Sequence, residues 1–278
     1  MFDGRTWWIT GASSGIGAAL AAALGQAGAG LVLSGRNEAA LAETARRAGA
    51  PYLVLPFEAT DFERIPAIVD QAWSWARARG GGIDGLVNNA GISQRSLAVE
   101  TVFAVYRRIV DVDLLAPIAL TQALLPRMVE AGGGQLVAIS SVAGFVGAPL
   151  RSAYSSAKHG LIGYSDSVRA ETAHQGIRVL VVAPGSVRTN VSKNALDANA
   201  RVRGFSDTAI DEGMAPEAAA ARILDALRNG ERELVLAEGR EAEVVRLRRS
   251  DPDKLFDLAA KMIADGYAQQ LGATKPKA

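Results

Sequence analysis

Trp7-Trp8-Ile9-Thr10-Gly11-Ala12-Ser13-Ser14-Gly15-Ile16-Gly17 decides the fold. Its apolar run reads as a buried strand that stops at Thr10-Gly11 in a tight turn. From there Ile16, Ala19, Leu20, Ala23, Leu24 and Ala27 recur at helical spacing until Gly28 and Gly30 end the pattern. A glycine-rich turn between a strand and a helix has two physical consequences. The glycines allow positive φ and close approach to the backbone, and the helix N-terminus offers unpaired N–H groups at the positive end of its dipole. Gly11, Ser13, Ser14, Gly15, Ile16 and Gly17 are therefore candidates to cradle a phosphate, against the alternative of an ordinary tight turn. The spacing departs from G-x-G-x-x-G by one longer interval.

Outward from this stretch the alternation continues. Leu31-Val32-Leu33 reads as a strand, with Asn37 as N-cap of a helix through Arg47. Tyr52 to Leu55 is a strand, Phe62 to Arg79 a helix capped by Asp61, and Ile83 to Val87 a strand. A long helix from about Thr101 to Glu130 should kink at Pro117. Gln135 to Ile139, a helix from Ala153 to His174, and Arg178 to Val182 follow. The stretch from Pro184 to Gly213 has no clear period and suits a mobile loop beside a site. Pro216 to Leu227 reads as a helix, Leu234 to Leu236 as a last strand, and the chain from Ser250 or Asp251 as an amphipathic helix. Strands alternating with helices imply an α/β fold: a Rossmann-type, doubly wound, mostly parallel seven-stranded sheet with helices on both faces. One catalytic domain over 1–278 is expected, with 184–215 as substrate loop and 250–278 as a C-terminal helical extension.

Composition narrows the function. The 278 residues carry a formal net charge of +1, so no global field points to nucleic acid or an anionic membrane. There is no Cys, which excludes disulfides, thiolate catalysis and cysteine-ligated metal. With only His159 and His174 and no paired carboxylate motif, no metal site is expected. Met1 to Trp8 has no long apolar region, and the apolar runs are strand-length, well short of the ~20 residues of a membrane span. The expectation is a soluble, cytoplasmic protein without a membrane span.

Tyr154 and Lys158 stand at i and i+4 on one helix face, where an ammonium beside a phenol favours the phenolate and equips the pair for proton transfer. An incidental surface pair is the plain alternative. At the end of the second strand, Ser34-Gly35-Arg36-Asn37 has no carboxylate to accept the ribose hydroxyls of NAD, but Arg36 could pair with the 2′-phosphate of NADP. Otherwise Arg36 is a solvated loop cation. Ser141 lies in Ile-Ser-Ser-Val-Ala and not in a Gly-x-Ser-x-Gly elbow, which disfavours a serine hydrolase.

Thr10 to Gly17, Asn88-Asn89-Ala90-Gly91, Ser141, Tyr154-x-x-x-Lys158 and Pro184-Gly185, in that order, resemble the short-chain dehydrogenase/reductase family over roughly residues 5 to 190. The run from Asn88 to Ser96 resembles its dehydrogenase/reductase member 7-like branch. The resemblance implies that Tyr154 gives a proton to a carbonyl or takes one from an alcohol, that Lys158 supports Tyr154 and the nicotinamide ribose, and that Ser141 donates to the substrate oxygen. It implies that Asn88, Ala90 and Gly91 line the cofactor cleft, with Asn88 alternatively bracing neighbouring strands. Pro184, Gly185, Val187 and Thr189 would hold the nicotinamide carboxamide. Where the family usually has an Asn that sustains a proton relay, alignment places Asp113, either as a modified relay member or as a plain helix residue. Glu58 stands near the family's adenine-contacting acid, with Asp61 either sharing that role or serving as an N-cap.

The expected function is NADP(H)-dependent interconversion of a lipophilic carbonyl and an alcohol, with NADP(H) preferred over NAD(H). The alternative is a dinucleotide-binding sensor or scaffold with little turnover. The substrate pocket is expected beside the Ile92 to Leu97 loop and Phe145, Val146 and Leu150, and a homodimer or homotetramer is expected through the long fourth and fifth helices.

Overall fold

Each short apolar run becomes a strand of one parallel sheet. In the computed structural model, which describes residues 1–272, the first half runs β1 (Thr6–Thr10), α1 (Gly15–Gln26), β2 (Gly30–Ser34), α2 (Glu38–Ala48), β3 (Tyr52–Val54), α3 (Ile65–Ala78) and β4 (Gly85–Asn88). Next come α4 (Phe103–Val110), α5 (Ala116–Glu130), β5 (Gly134–Ile139), α6 (Ser152–Thr172) and β6 (Ile177–Pro184). The chain continues through α7 (Thr208–Asp211), α8 (Pro216–Arg228), β7 (Glu233–Leu236), α9 (Gly239–Ser250), α10 (Pro252–Ala264) and α11 (Tyr267–Gln270). The tail of the expected C-terminal extension, 273–278, lies outside the described residues.

The strands lie in the order β3-β2-β1-β4-β5-β6-β7, and all their pairings are parallel. A sheet covered on both faces has no solvent side, which is why β1 and β2 are buried at every position. Alternate residues serve opposite layers. Ile9, Leu31, Leu33 and Leu180 pack with Leu24 of α1, Leu41 of α2 and Ile223 of α8. Trp8, Val32, Leu86 and Val179 pack on the other face with Ile68 of α3 and Leu124 of α5. Truncating one such leucine to alanine costs about 2–5 kcal/mol. The two layers therefore hold the strand ends firmly. The chain runs outward from β1 to β3 and returns to β4 on the opposite side of β1, so the connections after β1 and β4 part and open a cleft at the carboxyl ends of the strands.

Four local expectations change. Asp61 makes no side-chain cap; Phe62–Arg64 form a 3-10 turn before α3, and Asp61 lies 3.8 Å from Arg64. The break in the long helix falls just ahead of Pro117, where Asp111–Leu115 form a π-helical turn closed by Ala116 N–H donating to Asp111 O. A proline has no N–H to continue the α ladder, so the irregularity sits on its N-terminal side. The helix α9 is absent from the sequence reading because Arg240, Glu241, Glu243, Arg246, Arg248 and Arg249 blur its apolar spacing, and only Val245 is buried. Finally, Phe103–Glu130 forms a continuous helical stretch that is long and apolar enough to cross a membrane by length and composition, contrary to the expectation of strand-length runs alone. Its Leu120, Leu124 and Met128 are core residues of the sheet's second layer.

Candidate active site

The first wall of the cleft is the turn from β1 into α1. Gly11 has φ +64°, and a Cβ there would lie 2.8 Å from the Ala90 Cα. At Gly17 an added Cβ would meet the Gly11 carbonyl oxygen at 2.4 Å. Gly17 therefore permits close packing of the turn on its own helix and does not itself line the cleft, unlike Gly11, Ser13, Ser14, Gly15 and Ile16. No side chain caps the start of α1, whose N–H groups stay open to an anion.

The turn is tied to the end of β4. Thr10 Oγ1 accepts from the backbone N–H groups of Asn89 (3.0 Å) and Ala90 (3.1 Å), and Asn89 Nδ2 donates to Thr10 O at 2.9 Å. Asn89 was not among the expected site residues, yet it faces the cleft with Ala90 and Gly91. Asn88 points the other way, donating to Thr121 Oγ1 of α5 at 2.9 Å, so it braces the sheet and does not line the cofactor cleft. Neighbouring strand residues face opposite sides, and this period was the signal that only one of the two asparagines could serve the cleft.

At the end of β2, Arg36 lines the cleft with 66% of its side chain exposed, 3.8 Å from Glu58, which also lines it. An exposed pair at that distance holds neither partner firmly. Both remain free to meet a ligand.

The reactive side chains converge from three elements. Ser141 follows β5, where its Oγ accepts from Ala143 N–H (3.1 Å) and approaches Pro184 O at 3.3 Å. Tyr154 lies in the first turn of α6, and the Lys158 ammonium sits 5.6 Å from the centre of its ring. Lys158 Nζ donates to Ile139 O at 3.0 Å and forms an ion pair with Asp113 Oδ2 at 3.2 Å. Asp113, from the π turn, is fully buried, and its Oδ1 accepts from Ile92 N–H at 2.9 Å. Its Oδ2 has the lysine beside it but no well-aligned hydrogen bond. Burial raises the Asp113 carboxyl above the usual carboxylate range, with Lys158 only partly opposing it. For Lys158 burial acts downward, but Asp113 and then Tyr154 outweigh it and hold the ammonium above its ordinary value. The pair thus keeps the lysine charged beside Tyr154. Ser140 donates to Lys158 O and His159 bonds Ser155 O, which gives both structural roles.

Beyond β6, Pro184, Gly185, Val187 and Thr189 line the same cleft. Their backbone is held by a residue the sequence did not flag: Glu241 of α9 accepts from Ser186 N–H and Ser186 Oγ, both at 2.8 Å. With α9 unrecognised, no local signal pointed to it.

The segment expected as a mobile loop contains a small hairpin. Leu196 pairs antiparallel with Val202 and parallel with Gln94. Its side supplies Val191, Asn194, Leu196, Val202 and Ile210 to the cleft. Phe145, Val146 and Leu150 do not line it; Val146 packs with Val245 and Leu255 under the C-terminal helices, with Phe145 against them. The cleft, about 960 Å³, also takes Arg107, Arg108 and Asp111 along its α4 side, so it is more polar than expected. Among the described residues no group of His, Asp and Glu is placed to hold a metal ion.

Comparison with known proteins agrees with this geometry. The short chain dehydrogenase family model matches residues 5–200. Dehydrogenase/reductase SDR family member 7B of Bos taurus is 38% identical over 257 residues, covering 91% of this chain and 79% of the relative. A short-chain dehydrogenase from Streptomyces avermitilis superposes with a TM-score of 0.75 at 31% identity, over 95% of this chain and 99% of the other. A Sphingobium yanoikuyae short-chain dehydrogenase solved in complex with NADPH gives a TM-score of 0.75 at 27% identity, over 91% and 96% of the two chains.

Proposed function

This chain belongs to the short-chain dehydrogenase family, and from that premise we propose that it is an NADP(H)-dependent oxidoreductase interconverting a carbonyl and an alcohol. The observation that carries the reading is the convergence of Ser141, Tyr154 and the charged Lys158 on one cleft with an uncapped helix N-terminus. The cleft fits a dinucleotide. The α1 N-terminus and the Gly11 approach suit a pyrophosphate, and Arg36, with no carboxylate at the end of β2, suits a ribose 2′-phosphate. Ala90, Gly91, Val187 and Thr189 would hold the nicotinamide end, and Glu58 the adenine end. When bound, the cofactor supplies or accepts the hydride.

The chain's own residues handle the proton. As negative charge grows on the carbonyl oxygen, Tyr154 gives up its hydroxyl proton and Ser141 donates a hydrogen bond. Lys158 stabilises the phenolate left behind, and Asp113 keeps that lysine charged and in place. The Asp113 pair also favours a second reading, a dinucleotide sensor with little turnover, because it ties the ammonium into a buried ion pair. The apolar residues at the hairpin side, Val191, Leu196, Val202 and Ile210, support a carbonyl with a lipophilic portion. Leu115 of the long helix is 40% exposed and Phe103 is 73% exposed, which supports a second copy pairing on this helix.

Consumption of NADPH and NADH is measured against aldehydes, ketones, quinones and steroids. The reductase reading expects turnover with NADPH well above NADH on at least one carbonyl. Cofactor binding without turnover, on this panel and on the matching alcohols with NADP, would favour the sensor.

A further inference from the structure

The most heavily buried charges outside the active site form a node beneath the substrate side of the cleft. Arg95 Nε donates to Asp207 Oδ2 at 2.6 Å and Arg203 Nη1 to Asp207 Oδ1 at 2.8 Å, with all three side chains no more than 3% exposed. Arg151 adds a third guanidinium 3.7 Å from the same carboxylate. Taking ions out of water is costly unless their geometry is well satisfied. Here the satisfaction is extensive: Arg95 Nη1 also reaches Ser93 Oγ and Gln94 O, Arg203 Nη2 reaches Leu271 O at 2.6 Å, and Asp207 N–H donates to Ser192 Oγ at 3.0 Å.

The node joins segments far apart in sequence. The hairpin docks by backbone on the loop after β4, with Leu196 N–H donating to Ser93 O and Arg95 N–H to Leu196 O. The neighbouring Gln94, fully buried, turns the other way: its Oε1 accepts from Ala153 N–H at 2.9 Å, one residue before Tyr154. Gln94 Nε2 donates to Ser96 Oγ and Thr101 Oγ1, both at 3.1 Å. One dipeptide therefore faces both the substrate wall and the start of the proton donor's helix.

We propose that Gln94 and Arg95 with Asp207 are positioning residues that set the substrate pocket and the proton donor from a single point: Arg95–Asp207 clamps the hairpin carrying Leu196 and Val202, and Gln94 fixes the first turn of α6. The inference rests on the reductase reading for its kinetic consequences but not for the clamp itself. Burial alone would raise the Asp207 carboxyl, yet the Arg95 and Arg203 guanidiniums hold it at about 2, as expected of a carboxylate committed to its partners.

The test is Asp207→Asn in the full chain, which keeps the size of the side chain and removes its charge. Amide hydrogen exchange is followed by mass spectrometry with and without NADPH, and kinetics are followed with 4-nitrobenzaldehyde as probe. The clamp expects amides of residues 192–207 to exchange at least about tenfold faster while β1, β4 and β5 are unchanged. KM for the aldehyde should rise about tenfold, with kcat and NADPH affinity within about threefold. In Gln94→Ala the opposite split is expected, kcat falling and KM holding, with Gln94→Glu recovering part of kcat because it can still accept from Ala153 N–H. Hairpin exchange in Asp207→Asn equal to wild type would overturn the clamp, as would kcat and KM unchanged in both variants on an active wild type. If Asp207→Asn does not fold, Arg203→Lys, which keeps the charge and loses the fork, is read by the same exchange criterion. Because exchange needs no turnover, an inactive wild type would count against the reductase reading and leave the clamp decided by exchange.

Discussion

The glycine-turn side of the cleft and the hairpin side are held by different kinds of contact. On the first, backbone packs close on backbone, Gly11 against Ala90 and Gly17 against the Gly11 carbonyl, and the short Thr10 side chain accepts from two backbone N–H groups at the end of β4. On the second, the backbone bonds that dock the hairpin are joined by side chains that reach across long stretches of chain, such as Arg95 to Asp207, 112 positions apart. Backbone contact demands glycine at fixed spacing and tolerates little else. Side-chain contact can be met by many pairs of residues, so it leaves no local pattern while it lets the pocket be rebuilt. The cofactor side is therefore fixed mainly by sterics, and the substrate side adds buried charge to its backbone bonds.

That contrast can be broken from either side. On the cofactor side the larger effect is expected at Gly17→Ala, where the new methyl meets a backbone oxygen that cannot swing away. Overpacking of this kind costs about 1–3 kcal/mol. NADPH affinity, read by quenching of tryptophan fluorescence, should drop roughly tenfold or more; an unchanged affinity would mean the turn is not sterically fixed. Next is Arg36→Ala, which should raise KM for NADPH about tenfold and leave KM for NADH nearly unchanged, since a charge-assisted contact at an exposed site is worth only about 1.5 kcal/mol. Equal effects on both cofactors would remove Arg36 from 2′-phosphate recognition.

Sequence and structure diverge along the same line. The alternation of strands and helices, the glycine turn and the Tyr154–Lys158 pair are legible because each depends on short-range pattern, apolar runs for the strands and i to i+4 for the Tyr and Lys, whereas Ser141 is marked only by the family resemblance. Of the two roles expected for Asn88, lining the cleft or bracing strands, the structure keeps the second, while Asn89, to which the sequence analysis gives no role, faces the cleft. Glu241 and the Arg95–Asp207 contact leave no mark in the sequence, since their partners lie 55 and 112 positions away. Phe145 and Val146 were placed in the pocket by nearness to Ser141, whereas the unrecognised α9 and the helix after it draw them under the C-terminal helices.

Smaller effects sharpen the charge side. The Asp207 carboxyl is lowered from 3.8 to about 2, so its contribution to stability is complete above its unfolded value and fades as pH falls toward about 2. Hairpin amide protection in wild type should decline over that window and be nearly flat in Asp207→Asn. At the other end of the scale, Lys158 is raised, so its contribution is complete below its unfolded value of about 10.4 and is lost as pH climbs through its higher folded value. Removing the partner charge in Asp113→Asn should bring that alkaline loss to lower pH, observed as earlier unfolding in a thermal-melt series. An alkaline limb identical to wild type would mean that Asp113 does not hold the lysine.

The most direct measurement follows the hydride itself. Protein is incubated with NADPH deuterated on the transferable C4 position and with the carbonyl that wild type turns over, beside Tyr154→Phe as control. The account predicts one deuterium on the carbinol carbon of the product alcohol, and a rate lower by about a hundredfold or more in Tyr154→Phe while the variant still binds NADPH. NADPH bound with no alcohol formed from any carbonyl, or a Tyr154→Phe rate equal to wild type, would contradict it.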